Sequence, residues 1–382
     1  MSAQLVSIPT LNLQKLREDL KSSFIQRDEE IDILFISLLA SEHCLFLGDP
    51  GTAKSLLGEV FAKSLGLGTW AIQMMRTTKP DEVFGAPSLA DYEKGIVKRI
   101  TANKLPEADS AIIDEIFKCN SAILNSLLSI LNERKFYNPD PVSVPLEIAI
   151  GMSNEGPDGG ADGELGALWD RFLLRTWVKP LKAKADKLAL LNMDKEPGSS
   201  VQVSREEINA VRELVKNVVL SDEIKRTIVD IEEKIQQEQI KVSNRRLRKS
   251  MKIVKAAAAL EGRNTVQNSD LWVLKHMFWN EEDEISKVQS IVIKASDPDF
   301  AAARKILKTA HELYKPLAKE IDSPDSEWTD YGHKVINVQV KINKLNKDIK
   351  KLTQSTNVKK CLAKVQEMAD FLQGIVNSQT SW

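Results

Sequence analysis

The spacing of apolar residues divides the chain into a first part with mixed helices and strands and a second part that is helical throughout. From Leu13 to Ala40, apolar positions recur at helical spacing, which predicts one or two amphipathic helices. Short apolar runs then alternate with further helical stretches, as buried strands do in a parallel sheet. The predicted strands are 43–48, 70–74, 110–113 and 146–152, and the predicted helices between them include 55–65 and 121–131. This alternation predicts an α/β fold.

The strand pattern ends after Lys179 and Pro180. Residues 183–280 have helical spacing, with loops predicted around the glycines at 197–200 and 262–265. The chain stays helical and becomes more charged from about residue 281, with a predicted break at 322–326. The predicted organisation is an α/β core over 1–180, an all-α domain over 181–286 and a helical C-terminal extension over 287–382.

The C-terminal extension contains a short heptad-like seam, in which apolar positions step by three and four as in a coiled coil. Its members are Val335, Val338, Ile342, Leu345, Ile349 and Leu352. The seam is shorter than the three or four heptads of an independent coiled coil. We therefore expect it to pack against the next helix of the same chain, through Leu362, Val365, Met368 and Leu372.

Composition and charge exclude several classes of protein. No apolar run approaches the roughly 18 residues of a membrane span, and residues 1–11 lack the pattern of a secretory signal. The cysteines Cys44, Cys119 and Cys361 have no paired spacing, which favours a reducing compartment and argues against zinc. A net charge of −1 gives no overall attraction to nucleic acid. These features predict a cytoplasmic protein without a membrane span.

A phosphate-binding loop is the strongest chemical signal. The run from Gly48 to Ser55 matches G-x-x-x-x-G-K-[ST] except at Ala53, and it joins a predicted strand to a predicted helix. Loop amides can cradle phosphates, Lys54 can neutralise them, and the Ser55 hydroxyl can bind Mg²⁺. Ala53 is expected to adopt right-handed helical angles, where a methyl group costs nothing. The candidate ATP-binding residues are Gly48, Asp49, Pro50, Gly51, Thr52, Ala53, Lys54 and Ser55.

Two acids follow the apolar run that begins at Ser110. Asp114 is placed to hold Mg²⁺, and Glu115 is placed to orient and polarise the attacking water, as phosphoryl transfer to water requires. Alone, such a pair is more often a loop start or a helix cap. The phosphate loop upstream reverses that preference.

Three further polar residues are candidates for the same site. Asn154 follows a predicted strand, where an amide can sense the γ-phosphate; a simple turn residue is the alternative. Arg171 and Arg175 are spaced i, i+4, which would place them on one side of a helical turn. An arginine that reaches a neighbouring subunit's γ-phosphate would stabilise the charge of the transition state.

These motifs, in this order, resemble the MoxR family of AAA+ ATPases, and most closely its RavA branch. The resemblance spans about residues 26–280 and includes the alanine in the phosphate loop. It rests on the segments Gly48–Ser55, Lys79–Gly85, Leu105–Ala108, Ile113–Lys118, Ala122–Asn125, Leu131–Arg134, Ser153–Glu155 and Asp170–Phe172. The RavA branch has a small additional domain in its C-terminal helical region, and 281–382 contain no strand-rich, glycine-punctuated stretch to supply it.

The resemblance implies a role for each candidate. Glu115 would be the hydrolytic glutamate and Asn154 the first sensor. Arg171 would be the arginine finger, with Arg175 as a second candidate. Arg245 would reach the γ-phosphate from the helical lid as the second sensor, with Arg246 as its close competitor.

The resemblance also implies an architecture and a partner. Residues 84–100 would form an insertion in the second helix, and 134–145 a hairpin before the first sensor; in related ring motors such elements face the central pore. Members of the family form homo-oligomers, typically hexamers, that bind ATP between subunits. They act as remodelling chaperones, often beside a partner protein with a von Willebrand factor A domain.

Two other functions compete with a protein-remodelling ATPase. A nucleic-acid motor is the second hypothesis, because minichromosome-maintenance helicases resemble this branch. The expected hairpin tip, Asn138–Pro141, carries Asp140, which would repel phosphate and argues against it. A lysine cluster in the extension is better explained as a solvated helix face; it comprises Lys334, Lys341, Lys344, Lys347, Lys350 and Lys351. A scaffold that binds ATP without turnover is the third hypothesis, and the complete set of catalytic residues argues against it.

Overall fold

In a computed structural model, the protein is described at residues 8–157, 163, 165–194, 196–321, 328–352 and 356–380. It forms two compact units, one that ends at Val288 and one that begins at Gln289. The break predicted at 322–326 lies outside the described residues. The predicted domain boundary near residue 180 stays a prediction.

The first unit begins with helices and strands in alternation. Its elements up to residue 177 are α1 (Ile8–Ser23), α2 (Asp28–Leu39), β1 (His43–Leu47), α3 (Lys54–Ser64), β2 (Thr69–Gln73), α4 (Pro80–Phe84), α5 (Leu89–Tyr92), β3 (Ser110–Asp114), α6 (Ser121–Glu133), β4 (Lys135–Tyr137), β5 (Pro141–Ser143), β6 (Ile148–Ser153), α7 (Gly166–Trp169) and β7 (Phe172–Trp177). Helices follow: α8 (Lys184–Leu191), α9 (Arg205–Asn217), α10 (Asp222–Gln237), α11 (Asn244–Leu260), a 3-10 segment (Asn268–His276) and the start of α12 (Ile285–Ser296).

Five strands form one parallel sheet in the order β2-β3-β6-β1-β7. All residues of β1 and β6 are buried, as expected for strands covered by helices on both faces. The predicted parallel α/β sheet is confirmed. Because β3, β6 and β1 are adjacent, the loops after these three strands meet at one edge, where open α/β sheets bind ligands.

The fifth strand, β7, was not predicted. The sequence prediction placed Arg171 and Arg175 on one helical turn, but α7 ends at Trp169 and β7 pairs with β1, with Arg175 opposite Leu45. The helical prediction is wrong because spacing alone cannot distinguish a strand from a helical turn in so short a run. Residues 172–177 form a strand because their backbone pairs with β1.

The helical domain after the sheet is organised by serine caps. The side chains of Ser204, Ser221 and Ser243 each accept a hydrogen bond from the backbone amide three residues later, which starts α9, α10 and α11. Apolar residues on α9 and α10 are buried at helical spacing, for example Ile228 and Ile235. The predicted all-α domain after the core is confirmed.

The second unit contains α13 (Pro298–Ile321), α14 (Trp328–Lys350) and α15 (Thr356–Thr380), which pack around one apolar core. Val335, Ile342 and Ile349 of the predicted seam have no exposed surface. They pack with Val365 and Leu372 of α15, so the predicted pairing within the chain is confirmed. No helix in the described parts of the chain combines the length and apolar character needed to span a membrane.

Candidate active site

The predicted phosphate loop connects β1 to α3 at the carboxyl edge of the sheet. Gly48 has a φ of +126°, and a Cβ atom there would lie 2.4 Å from the carbonyl oxygen of Val178. Gly51 has a φ of +76°. Glycine is therefore required at Gly48 on both conformational and steric grounds, and it avoids strain at Gly51.

Ala53, the departure from the consensus motif, has φ 66° and ψ 24°, in the left-handed region. The prediction of right-handed angles is wrong, because this residue turns the loop into α3 and is not yet part of the helix. Left-handed geometry costs a residue with a Cβ atom about 1–2 kcal/mol. The loop therefore holds strain that a consensus glycine would not have.

The Lys54 ammonium lies within the loop. It donates hydrogen bonds to the carbonyl oxygens of Gly48 (2.5 Å) and Asp49 (2.9 Å) and to Oδ1 of Asn154 (3.4 Å). Burial lowers the pKa of Lys54, and the nearby carboxylates of Asp114 and Glu115 partly offset that effect. The ammonium thus lies where the loop, the first sensor and the two acids converge.

Ser55 and Asp114 form the pair that could hold a magnesium ion. The Ser55 hydroxyl donates to Oδ2 of Asp114 at 3.3 Å. A hydroxyl and a carboxylate are hard oxygen donors that fit Mg²⁺, which takes its remaining ligands from water and phosphate. Among the described residues, no group of three or more His, Cys, Asp or Glu side chains could hold a metal ion. A magnesium ion at this pair would therefore depend on the phosphates of a bound nucleotide.

Glu115 is held in place by three contacts. Its backbone amide donates to Oδ1 of Asp114 at 2.9 Å, and its φ of 50° lies in the left-handed region. Oε1 accepts a hydrogen bond from Nδ2 of Asn154 at 2.8 Å, and Oε2 lies 3.3 Å from Nζ of Lys118. Asn154 thus bridges Lys54 and Glu115, so the structure brings these sequence-predicted residues together.

Sequence analysis missed Arg27, whose side chain contacts the backbone of the phosphate loop. Its side chain is only 6% exposed, and its guanidinium donates to the carbonyl oxygens of Thr52 (3.1 Å) and Lys179 (3.1 Å). It therefore links the loop to the segment that follows β7. No motif contains Arg27; its position directly before the buried helix α2 was the only signal.

Arg171 lies between α7 and β7 and is partly buried. Its Nε atom is buried and has no hydrogen-bond partner among the described residues. Burial lowers the pKa of its guanidinium, and the nearby Arg245 lowers it further. An anion brought to this position would therefore stabilise the charged form of Arg171.

Arg175 is a structural residue. It has no exposed surface, and its guanidinium donates to the carbonyl oxygens of Met277 (2.9 Å) and Trp279 (2.6 Å). The guanidinium carbon lies 4.4 Å from the ring centroid of Trp169, a cation–π contact. A side chain enclosed in this way cannot reach another subunit, so the prediction of Arg175 as a second finger is wrong.

The two candidates for the second sensor gather around Asp170. Arg246 is 5% exposed and bonds Asp170 (3.0 Å) and Asn280 (2.6 Å). Arg245 is more exposed and bonds Asn132 (2.7 Å) and, at 3.4 Å, Asp170. Within the described part of the chain, neither arginine bonds the phosphate loop. The structure thus groups Arg245 with Arg171 and does not bring it to the loop of its own chain.

The expected hairpin is present as β4–β5, and residues 84–100, the expected insertion, contain α5 and an isolated bridge between Pro87 and Arg99. The hairpin β4–β5 is joined to the insertion by two hydrogen bonds between Arg99 and Asn138, of 2.6 and 3.0 Å. Phe84 stacks on Phe136 with ring centroids 5.4 Å apart. The two elements are therefore directly connected to each other.

The loop, the strand order and the helical domain define the class of protein: a P-loop ATPase of the AAA+ type. Residues 11–216 match the MoxR domain of MoxR-vWA-beta-propeller ternary systems, and residues 223–292 match the AAA lid domain. The chain belongs to the MoxR family of AAA+ ATPases.

The chain is also similar to individual proteins. The uncharacterized protein MJ0079 of Methanocaldococcus jannaschii is 34% identical over 96% of this chain and 98% of its own length. The chaperone MoxR1 of Mycobacterium tuberculosis is 28% identical over 32% of each chain. The crystal structure of a candidate ATPase from Cytophaga hutchinsonii superposes with a TM-score of 0.58 at 18% identity, over 75% of this chain and 94% of that one, and supports the fold.

Proposed function

We propose that this chain is a Mg²⁺-dependent, ATP-hydrolysing motor that assembles as a ring and remodels or activates a partner protein in the cytoplasm. The observation that carries the proposal is the contact from Lys54 through Asn154 to Glu115, beside the Ser55–Asp114 pair. It joins phosphate binding, metal binding and water activation at one edge of the sheet.

Each residue has one task in the proposed reaction. Lys54 exchanges its carbonyl partners for the β- and γ-phosphate oxygens of ATP. Ser55 and Asp114 would hold Mg²⁺, which would supply positive charge to the phosphates. Glu115 orients the attacking water and accepts its proton, while Asn154 keeps the Glu115 carboxylate aimed at that water.

The proposed ring is supported by the positions of two arginines. Arg171 and Arg245 lie near each other, and among the described residues neither donates a hydrogen bond to the loop of its own chain, which supports a role at the ATP of a neighbouring subunit. We propose a homo-hexamer in which Arg171 is the finger and Arg245 assists it. Each site then takes its loop from one subunit and these two arginines from the next.

The partner is proposed from the family. The matched MoxR domain is named for ternary systems with a vWA protein and a beta-propeller protein, which supports a partner with a von Willebrand factor A domain. The placement nearest the RavA branch stays a prediction.

The hydrolytic assignment is tested with Glu115→Gln. This variant should bind ATP with unchanged affinity and lose hydrolysis by about 100-fold or more, because an amide cannot accept the proton. The control is Glu59→Gln, which removes a carboxylate from the exposed face of α3, outside the site. Hydrolysis by Glu115→Gln at the wild-type rate would refute the assignment. The same variant, loaded with ATP, is the form with which to capture the partner.

The shared site is tested by mixing two inactive variants, Glu115→Gln and Arg171→Ala. Random co-assembly pairs an intact Glu115 with an intact Arg171 at about a quarter of the interfaces, so hydrolysis should return to about that fraction of the wild-type rate. Each variant alone, at the same total protein concentration, is the control and should stay inactive. If the mixture stays inactive while the subunits demonstrably co-assemble, Arg171 does not act across the interface.

A further inference from the structure

A wide groove lies between the C-terminal end of α2 and the helices α9, α10 and α11. This groove, the lid groove, has a volume of about 1770 Å³. Eight basic side chains and a single acidic one line it. Five of the basic residues lie on α11: Arg245, Arg248, Lys249, Lys252 and Lys255. Apart from Arg245 at one end, this basic lining has no part in the proposed reaction.

The basic residues of α11 share one face of the helix. Positions separated by three, four, seven and ten residues fall on one side of an α-helix, and Arg245 to Lys255 follow that spacing. Ten residues of helix extend about 15 Å. The basic face is therefore long enough to contact an elongated segment, and it extends beyond what one small anion would need.

Nearby carboxylates neutralise this face only in part. Lys249 (at 2.9 Å) and Lys252 both bond Glu42, so two cations share one carboxylate. Arg248 is exposed and has no acidic partner among the described residues, and Lys255 donates only to the carbonyl oxygen of Lys216, at 3.2 Å. The groove therefore keeps an excess of positive charge at Arg248 and Lys255.

The floor of the lid groove is aliphatic. It includes Leu39, Val215 and Val218, with Val219 and Met251 at 58% and 37% exposure. The lining contains no aromatic side chain. Proteins that hold single-stranded nucleic acid stack its bases on aromatic residues, whereas an aliphatic floor between charged walls suits an amphipathic helix.

We propose that the lid groove binds an acidic amphipathic helix of a partner protein. The apolar side of that helix packs on the floor near Val219 and Met251, and its carboxylates face Arg248 and Lys255. The proposal does not depend on the roles assigned to Glu115 or Arg171, because it rests on a surface outside the phosphate loop.

The experiment measures binding of a short fluorescein-labelled peptide with leucines on one helical face and glutamates on the opposite face. Fluorescence anisotropy compares the full-length protein with Arg248→Glu/Lys255→Glu, because neither of these two side chains has an ion pair to lose among the described residues. Affinity should fall at least ~10-fold in the double variant and should weaken as salt rises. Equal binding by the wild-type protein and the double variant would overturn the proposal.

Three controls define the ligand and the surface. Lys234→Glu, an exposed charge reversal on α10 outside the groove, should bind the peptide like the wild-type protein, and retained ATPase activity of the double variant verifies its folding. A peptide of the same composition with its leucines scrambled should bind several-fold more weakly; equal binding would reject the amphipathic fit. Tighter binding of single-stranded oligo-dT than of the peptide would replace the proposal with a nucleic-acid surface.

Discussion

Substitution of Ala53 by glycine should stabilise the folded protein. The left-handed angles of Ala53 cost about 1–2 kcal/mol, and glycine adopts them without strain. Glycine also increases the conformational entropy of the unfolded chain, which offsets about 0.4–1 kcal/mol of the stability gained by removing the strain. The expected net increase in the free energy of unfolding is therefore about 1 kcal/mol, with the ATP site otherwise unchanged.

Urea denaturation followed by tryptophan fluorescence is a suitable assay, since five of the seven tryptophans precede residue 289. With a denaturant slope of about 3 kcal/mol per molar, the midpoint of Ala53→Gly should rise by about 0.3 M. The matched control is Ala122→Gly, at an exposed position within α6, which should lower the midpoint because glycine weakens a helix. If both glycines lower the midpoint equally, Ala53 is not strained and the reasoning fails.

Three further predictions follow from buried polar groups. Arg27→Ala should weaken ATP binding about 10-fold in a nucleotide titration, because the charge-assisted hydrogen bonds to the loop are worth about 1.5–3 kcal/mol; unchanged affinity would remove Arg27 from the site. Arg175→Ala should lower the thermal midpoint and cost about 3 kcal/mol, while the folded fraction hydrolyses ATP normally; a stable variant without activity would restore Arg175 as a finger. Burial raises the pKa of Glu30 from 4.5 to about 7 in the folded protein, so folding favours the protonated acid and the wild-type protein loses stability as pH rises through this range. Glu30→Gln stays neutral and should gain up to about 3 kcal/mol over the wild-type protein between pH 5 and pH 8 in paired denaturation curves; a constant difference would contradict the raised pKa.

Much of the fold was predictable because buried strands and amphipathic helices have distinct apolar spacing. The strands β1, β3 and β6 are short apolar runs that end in glycine, acids or an amide, and the spacing identified all three. The strand β7 was missed because its run contains Arg175, and a buried arginine contradicts the usual apolar pattern. Its burial depends on the carbonyl groups of Met277 and Trp279, which lie about 100 residues away in the chain and which no local pattern contains.

The candidate site was predictable residue by residue but not as an arrangement. Motif order identified Lys54, Glu115 and Asn154, whereas their direct contacts depend on β6 lying between β3 and β1. The angles of Ala53 could not be predicted either, because a motif records residue types and not backbone geometry. The grouping of Arg245 with Arg171 arises from how the helical domain packs on the core.

The order of the strands also makes ATP binding depend on a completed sheet. The phosphate loop follows β1, whereas Asn154 follows β6, about 100 residues later in the chain. The edge strand next to β1 is β7, which comes later still. Contacts so distant in sequence form late, because a long loop must close before they stabilise anything. A nascent chain that has not yet exposed β6 and β7 therefore cannot assemble the site, and nucleotide stabilises only molecules whose sheet is complete.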